Sequence, residues 1–135
     1  MLALSEDPEN EIRAFARGWM KLLAEQRLHD ACAMIDEPNC YGISWTPDRI
    51  VTVVREAFAE GTQFRKLHPE GPEFTDPDEL PEQTDREVGE FGDSGGYYFD
   101  YDLALNHERS DLTAQFEFLR RPTGYAVVLH DLDVM

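Results

Sequence analysis

A chain of 135 residues with 28 acidic and 12 basic side chains carries a formal net charge of −16, a field that repels nucleic acid and anionic membrane and attracts cationic proteins or metal ions. Its hydrophobic content of 41% supplies a real core and excludes global disorder. No apolar run approaches the ~20 residues needed to span a bilayer.

The charge is not spread evenly. Residues 67–108 hold thirteen acids and one base, Arg86. No targeting leader is expected, since the given sequence turns acidic at Glu6 and Asp7 with no cationic start or apolar run. Cys32 and Cys40 are too few for a disulfide framework, and their spacing matches no zinc pattern. Both are read as free thiols, so a cytoplasmic location and no cofactor are expected. One domain is expected over 1–135: a helical part at about 8–60, an acidic proline-rich loop at 61–84 and an antiparallel sheet at 85–134.

The first predicted helix covers 8–26. Ser5 or Asp7 caps it and Pro8 suits its first turn. Ile12, Phe15, Ala16, Trp19, Leu22 and Leu23 recur on one face. Arg13, Arg17 and Lys21 form a basic row on another. The row reads as a solvated face with local partners such as Glu9 and Glu25. The competing reading is a clamp on the chain's own carboxylates or on a phosphate.

A second helix is expected over 28–36, with Leu28, Ala31, Cys32 and Ile35 inward and Pro38 ending it. The third, 47–60, has the clearest start. Thr46 is the N-cap, Pro47 occupies the first turn, and Trp45 and Ile50 form a hydrophobic staple. Gly61 suits its end. Residues 61–84 carry Pro69, Pro72, Pro77 and Pro81 and show no period. They read as a long surface loop.

From 85 onward the period is two. Strands are expected at 88–91, 97–105, 112–119 and 125–134. In the second, Tyr97, Phe99, Tyr101, Leu103 and Leu105 face inward, and Tyr98, Asp100, Asp102 and Ala104 outward. In the third, Leu112, Ala114, Phe116 and Phe118 face inward. In the last, Ala126, Val128, His130, Leu132 and Val134 share the inward face, and Tyr125, Val127 and Leu129 the other. Helices first and a strand meander after predicts an α+β fold. Three N-terminal helices pack on one face of a curved antiparallel sheet of about four strands. This order resembles the cystatin-like or NTF2-like architecture. The run Tyr101-Asp102-Leu103-Ala104-Leu105, then Ser110-Asp111-Leu112-Thr113-Ala114, resembles an uncharacterised bacterial domain family, best over 85–134. That resemblance implies no activity and carries over no catalytic residue.

Three constellations are candidates for function. An NTF2-like cavity would place His130 as a general base beside Tyr97 and Tyr101. The plainer reading makes His130 the end of the sheet and the tyrosines core. Asp100, Asp102 and Glu117 share one sheet face and suit a divalent cation, a basic partner or plain solvent. The run from Asp76 to Glu82 lacks the central glycine and the last ligand of an EF-hand. The glycine-rich stretch at 92–96 joins two strands and opens onto no helix, against a phosphate cradle.

The first functional expectation is a non-enzymatic domain whose acidic surface meets a basic protein, as in a bacterial immunity or inhibitor protein. Asp76, Asp78, Glu79, Glu82, Asp100, Asp102 and Glu117 would contact the partner, with Tyr98 as the aromatic anchor. The alternatives are a small-molecule enzyme or binder around His130, and charge that serves only solubility. Outward Tyr98, Val127 and Leu129 form an apolar strip on which a homodimer through the sheet is expected.

Overall fold

The computed structural model describes residues 1–4, 7–92 and 95–134. Ser5, the alternative cap of the first helix, lies outside the described residues, as do Asp93 and Ser94 of the glycine-rich turn.

Helix α1 (Pro8–Ala24) starts where Asp7 accepts a hydrogen bond from the Asn10 amide, 3.3 Å away. It stops two residues before the expected end. Gln26 takes a left-handed conformation, φ 63°. Arg27 N then donates to Leu22 O and Gln26 N to Leu23 O. Those two bonds are a Schellman cap with glutamine in the usual glycine place. Helix α2 (Leu28–Ala33) is three residues shorter than expected. The edge of the sheet captures the chain beyond it: Asp36 N donates to Val127 O, and Asp36 Oδ2 accepts from Val127 N. Helix α3 (Pro47–Ala57) begins at its expected cap, Thr46 Oγ1 accepting from Arg49 N at 3.2 Å, and ends at Phe58 instead of residue 60.

The segment expected to be loop contains a fourth helix, α4 (Gln63–Leu67), capped by Thr62, and a 3₁₀ turn (Pro77–Glu79) capped by Asp76. Neither spans two turns, so neither leaves a readable period. The fold is therefore α+β, with four α-helices among the described residues where three were expected.

Strands β1 (Gly89–Glu90), β2 (Tyr97–Leu105), β3 (Glu108–Arg121) and β4 (Gly124–Val134) form one antiparallel sheet in the order β1-β2-β3-β4. Strand β2 has the expected bounds. It joins β3 through Asn106 and His107, both at positive φ, as the twist of a two-residue hairpin requires.

The helices cover one sheet face. Phe116 and Phe118 meet the edge of Phe15, and Trp19 stands edge-on to Phe116 with ring centroids 5.1 Å apart. Trp19 Nε1 is buried with no hydrogen-bond acceptor among the described residues. Trp45 Nε1 donates to Leu129 O at 2.7 Å.

In β4 the faces are the reverse of those expected. Val127 pairs with Phe118 and Leu129 with Phe116, both in the helix-covered core. The register then slips, with Gln115 opposite Asp131. His130 is the extra residue of a bulge, which re-aims the side chains beyond it. The slip returns Leu132 to the core, opposite Ala114. Val127 and Leu129 being interior, the apolar strip expected to support a homodimer reduces to Tyr98, which is 45% exposed.

Edge strand β4, and β2 beyond the end of the two-residue edge strand β1, are each met by other parts of the chain. Leu2 exchanges two backbone hydrogen bonds with Tyr125 on β4. On β2 the Gln83 side chain plays a strand's part, donating to Asp102 O and accepting from Asp102 N. Covered edges resist sheet-to-sheet association. Among the described residues no helix is long and apolar enough to cross a membrane.

Candidate functional site

The basic row of α1 is partly solvated but finds its main partners far along the chain. Arg17 donates through Nε and Nη2 to Asp78 Oδ1, and Lys21 Nζ to Asp78 Oδ2. Arg13 donates to the carbonyls of Gln83 and Arg86 and lies over the Phe99 ring at 5.2 Å. The row thus clamps residues 77–86 of the same chain, the competing reading of the two. Of its expected local partners, Glu9 meets Arg13 at 3.3 Å.

This segment is a strap over α1. The bonds from Lys21 and then Arg17 hold the Asp78 carboxyl below its ordinary value of 3.8. A depressed folded pKa contributes stability above the unfolded value, lost as pH falls through the folded one. The strap should therefore loosen below about pH 4. Amide shifts of Asp78, Glu79, Leu80, Glu82 and Gln83, followed by NMR through an acid titration, should move before those of β3. Asp78→Asn should abolish that early step. Strap and β3 moving together in both proteins would contradict the assignment.

Beneath the strap lies a cavity of about 260 Å³ between α1 and β2, with Arg13, Arg17, Leu80, Phe99, Tyr101 and Arg109 in its lining. Tyr101 is 6% exposed, and burial pushes its pKa up to about 12. Its hydroxyl is thus a neutral donor at ordinary pH. Among the described residues it has no hydrogen-bond partner.

Asp102 lies on the outer sheet face, held by the cavity residue Arg109, and it is not an accessible carboxylate. It is 5% exposed. Arg109 reaches Asp102 Oδ2 through Nε and Nη2 at 2.8 and 2.6 Å. Arg86 and the Thr113 hydroxyl donate to Oδ1 at 3.1 and 2.7 Å. Arg109 also bonds both oxygens of Asp85. The carboxylate expected to meet a partner is enclosed by its own cations.

Asp100 and Glu117 share the outer sheet face with Asp102 but do not converge on it. Asp100 faces Gln115 and lies 3.9 Å from Arg86, while Glu117 faces Tyr98. Among the described residues no three His, Cys, Asp or Glu side chains are grouped to hold a metal ion. His130 is also on this face, 3.9 Å from Glu117 Oε1 and 3.8 Å from Cys40 Sγ. Tyr97 is on the helix side against Tyr125, with ring centroids 5.8 Å apart. His130, Tyr97 and Tyr101 are therefore not brought together, and only Tyr101 lines the cavity.

The outer face carries no helix. Register places Tyr98, Asp100, Glu117, Asp131 and Asp133 there together. Tyr98 leans on Phe91 and lies over Gly89, where a Cβ would fall 2.1 Å from the phenol ring. Glycine at 89 is what lets Tyr98 pack there. Of the strap carboxylates, Asp76 caps the 3₁₀ turn, Asp78 is clamped and Glu79 meets His107 at 3.0 Å. Glu82 is exposed at the rim of the cavity.

Sequence reasoning missed Asp131 and Asp133. Their i, i+2 spacing in the last strand was the available signal. It also missed Arg13, Arg17 and Arg109 as cavity residues, for which only the α1 basic row was visible.

Residues 51–135 match a family model described as Domain of unknown function (DUF7668). No curated protein and no solved structure matches the chain.

Proposed function

The chain belongs to the DUF7668 family, and we propose that it is a non-enzymatic binding domain whose acidic outer face takes a basic protein partner. An immunity or inhibitor protein of a bacterial cytoplasm, neutralising a cationic toxin or nuclease, needs such a surface and no active site. In the same reading the chain is one domain, with its helices-then-meander order cystatin-like or NTF2-like.

The observation that carries this is the helix-free sheet face, where exposed Tyr98 stands among Asp100, Glu117, Asp131 and Asp133. A rigid aromatic gives an anchor, and surrounding carboxylates give steering and register. Glu79 and Glu82 of the strap extend the negative field; Asp76, Asp78 and Asp102 serve the fold.

The test is capture from lysate of the source organism by tagged protein, wild type beside a variant with Tyr98→Ala, Glu117→Gln, Asp131→Asn and Asp133→Asn. The expected result is one stoichiometric basic protein, released as salt rises. With that partner purified, the variant's association rate should fall at least about tenfold. Equal association by both proteins would remove the outer face from the interface and leave the charge a role in solubility alone.

A further inference from the structure

We infer that the cavity beneath the 77–83 strap is a second binding site, for a small carboxylate with an apolar body, whose charged end meets the Tyr101 hydroxyl and the Arg17 guanidinium. This inference is independent of the outer face, since the cavity lies on the opposite side of the sheet.

Three observations converge on it. The first is the cavity itself, about 260 Å³, the share of about nine waters in the liquid. The second is its chemistry. Phe99, Ala104, Leu80, Pro77 and Pro81 give apolar walls, and Arg13, Arg17, Tyr101 and Arg109 give donors; Glu82 is the acidic side chain in the lining. An apolar pocket with a few convergent polar groups is the ordinary form of a small-molecule site.

The third is the Tyr101 hydroxyl. It belongs to a side chain more than nine-tenths buried and has no partner among the described residues. Tyr101 lines the cavity, so an arriving charged acceptor would take the place of water at its hydroxyl. Arg17 spends Nε and Nη2 on Asp78, leaving Nη1 for a ligand among the described residues. Arg13 and Arg109 are held by their own acceptors and shape the lining.

A charged acceptor gains more from such donors than a neutral one. Arginine stays protonated throughout the working range. These points select a carboxylate over an alcohol of the same shape.

The test uses benzoate as the probe and benzyl alcohol as its neutral counterpart, titrated into the full chain and followed by amide NMR. Benzoate should shift residues of α1 around 13–17, the non-proline strap residues within 77–83 and β2 around Tyr101, and leave the outer-face residues Gln115 and Glu117 unmoved. Benzyl alcohol should bind at least about tenfold more weakly. Tyr101→Phe, which removes an unpartnered hydroxyl and keeps the ring, should fold with an unchanged or higher Tm and bind benzoate about tenfold more weakly or worse. Shifts elsewhere or none, equal binding of the two probes, or full affinity in Tyr101→Phe would each overturn the proposal. None of these outcomes bears on the partner face.

Discussion

Replacing Arg109 with methionine should destabilise the fold by about 1–3 kcal/mol, less than breaking a fully buried ion pair, because Asp102 is buried but the Arg109 side chain is 37% exposed. Methionine keeps much of the aliphatic packing and removes the charge. Asp102, 5% exposed, would lose the two shortest of its arginine bonds. It would keep Arg86 and the Thr113 hydroxyl, which is why the upper end of the range is not expected. Asp85 would lose its partner too, loosening the segment that brackets β2. The readout is a lower urea midpoint with unchanged slope. Adding Asp102→Asn to the Arg109→Met background should restore about 1 kcal/mol or more, since it removes the stranded charge. A single-variant loss below about 1 kcal/mol would mean that water reaches Asp102 and the network is not a buried one.

Phe116→Ala should cost about 3–5 kcal/mol. Phe116 is 1% exposed. Its ring meets Phe15 and Trp19 from α1, and its neighbours across the sheet are Phe99 and Leu129. Truncation opens a void at the point where helix and sheet meet, and close-packed interiors collapse only partly. Against a typical total of 5–15 kcal/mol this is a large share, visible as a fall in Tm. Phe116→Leu should cost less, about 1.5 kcal/mol at most. Tyr98→Ala, on the other face of the same sheet, should change stability by about 1 kcal/mol or less. Equal losses at Phe116 and Tyr98 would contradict the assignment of the two faces.

The sheet faces show how far local pattern carries. In β2, Phe99 and Tyr101 are interior as the period of two requires, and β3 repeats this with Ala114, Phe116 and Phe118. In β4 the apolar residues fall on both faces, so alternation gives no unique answer. The bulge at His130 decides it, and a one-residue slip exchanges every face. His130 consequently pairs with Glu117 outside the cavity for which it was considered. The candidate site followed the same divide. Tyr98, Asp100 and Glu117 were legible as outward residues of regular strands. The cavity was not, because its walls come from α1, the strap and β2, separated widely along the chain.

The sequence by itself determined the α+β class, the start of α1 at Pro8, the cap of α3 at Thr46, and the limits of β2. Each rests on capping oxygens, prolines or alternation within a few residues of one another. Only the tertiary structure decided what the charges do. Asp78 is 61 residues from Arg17 and 57 from Lys21, and Gln83 is 70 from Arg13. A carboxylate reads alike in sequence whether it faces solvent, as Glu82 does, or lies enclosed between two arginines, as Asp102 does. Its role is set by which cation the folded chain brings within about 4 Å, and that choice is made by packing at long range, not by local propensity.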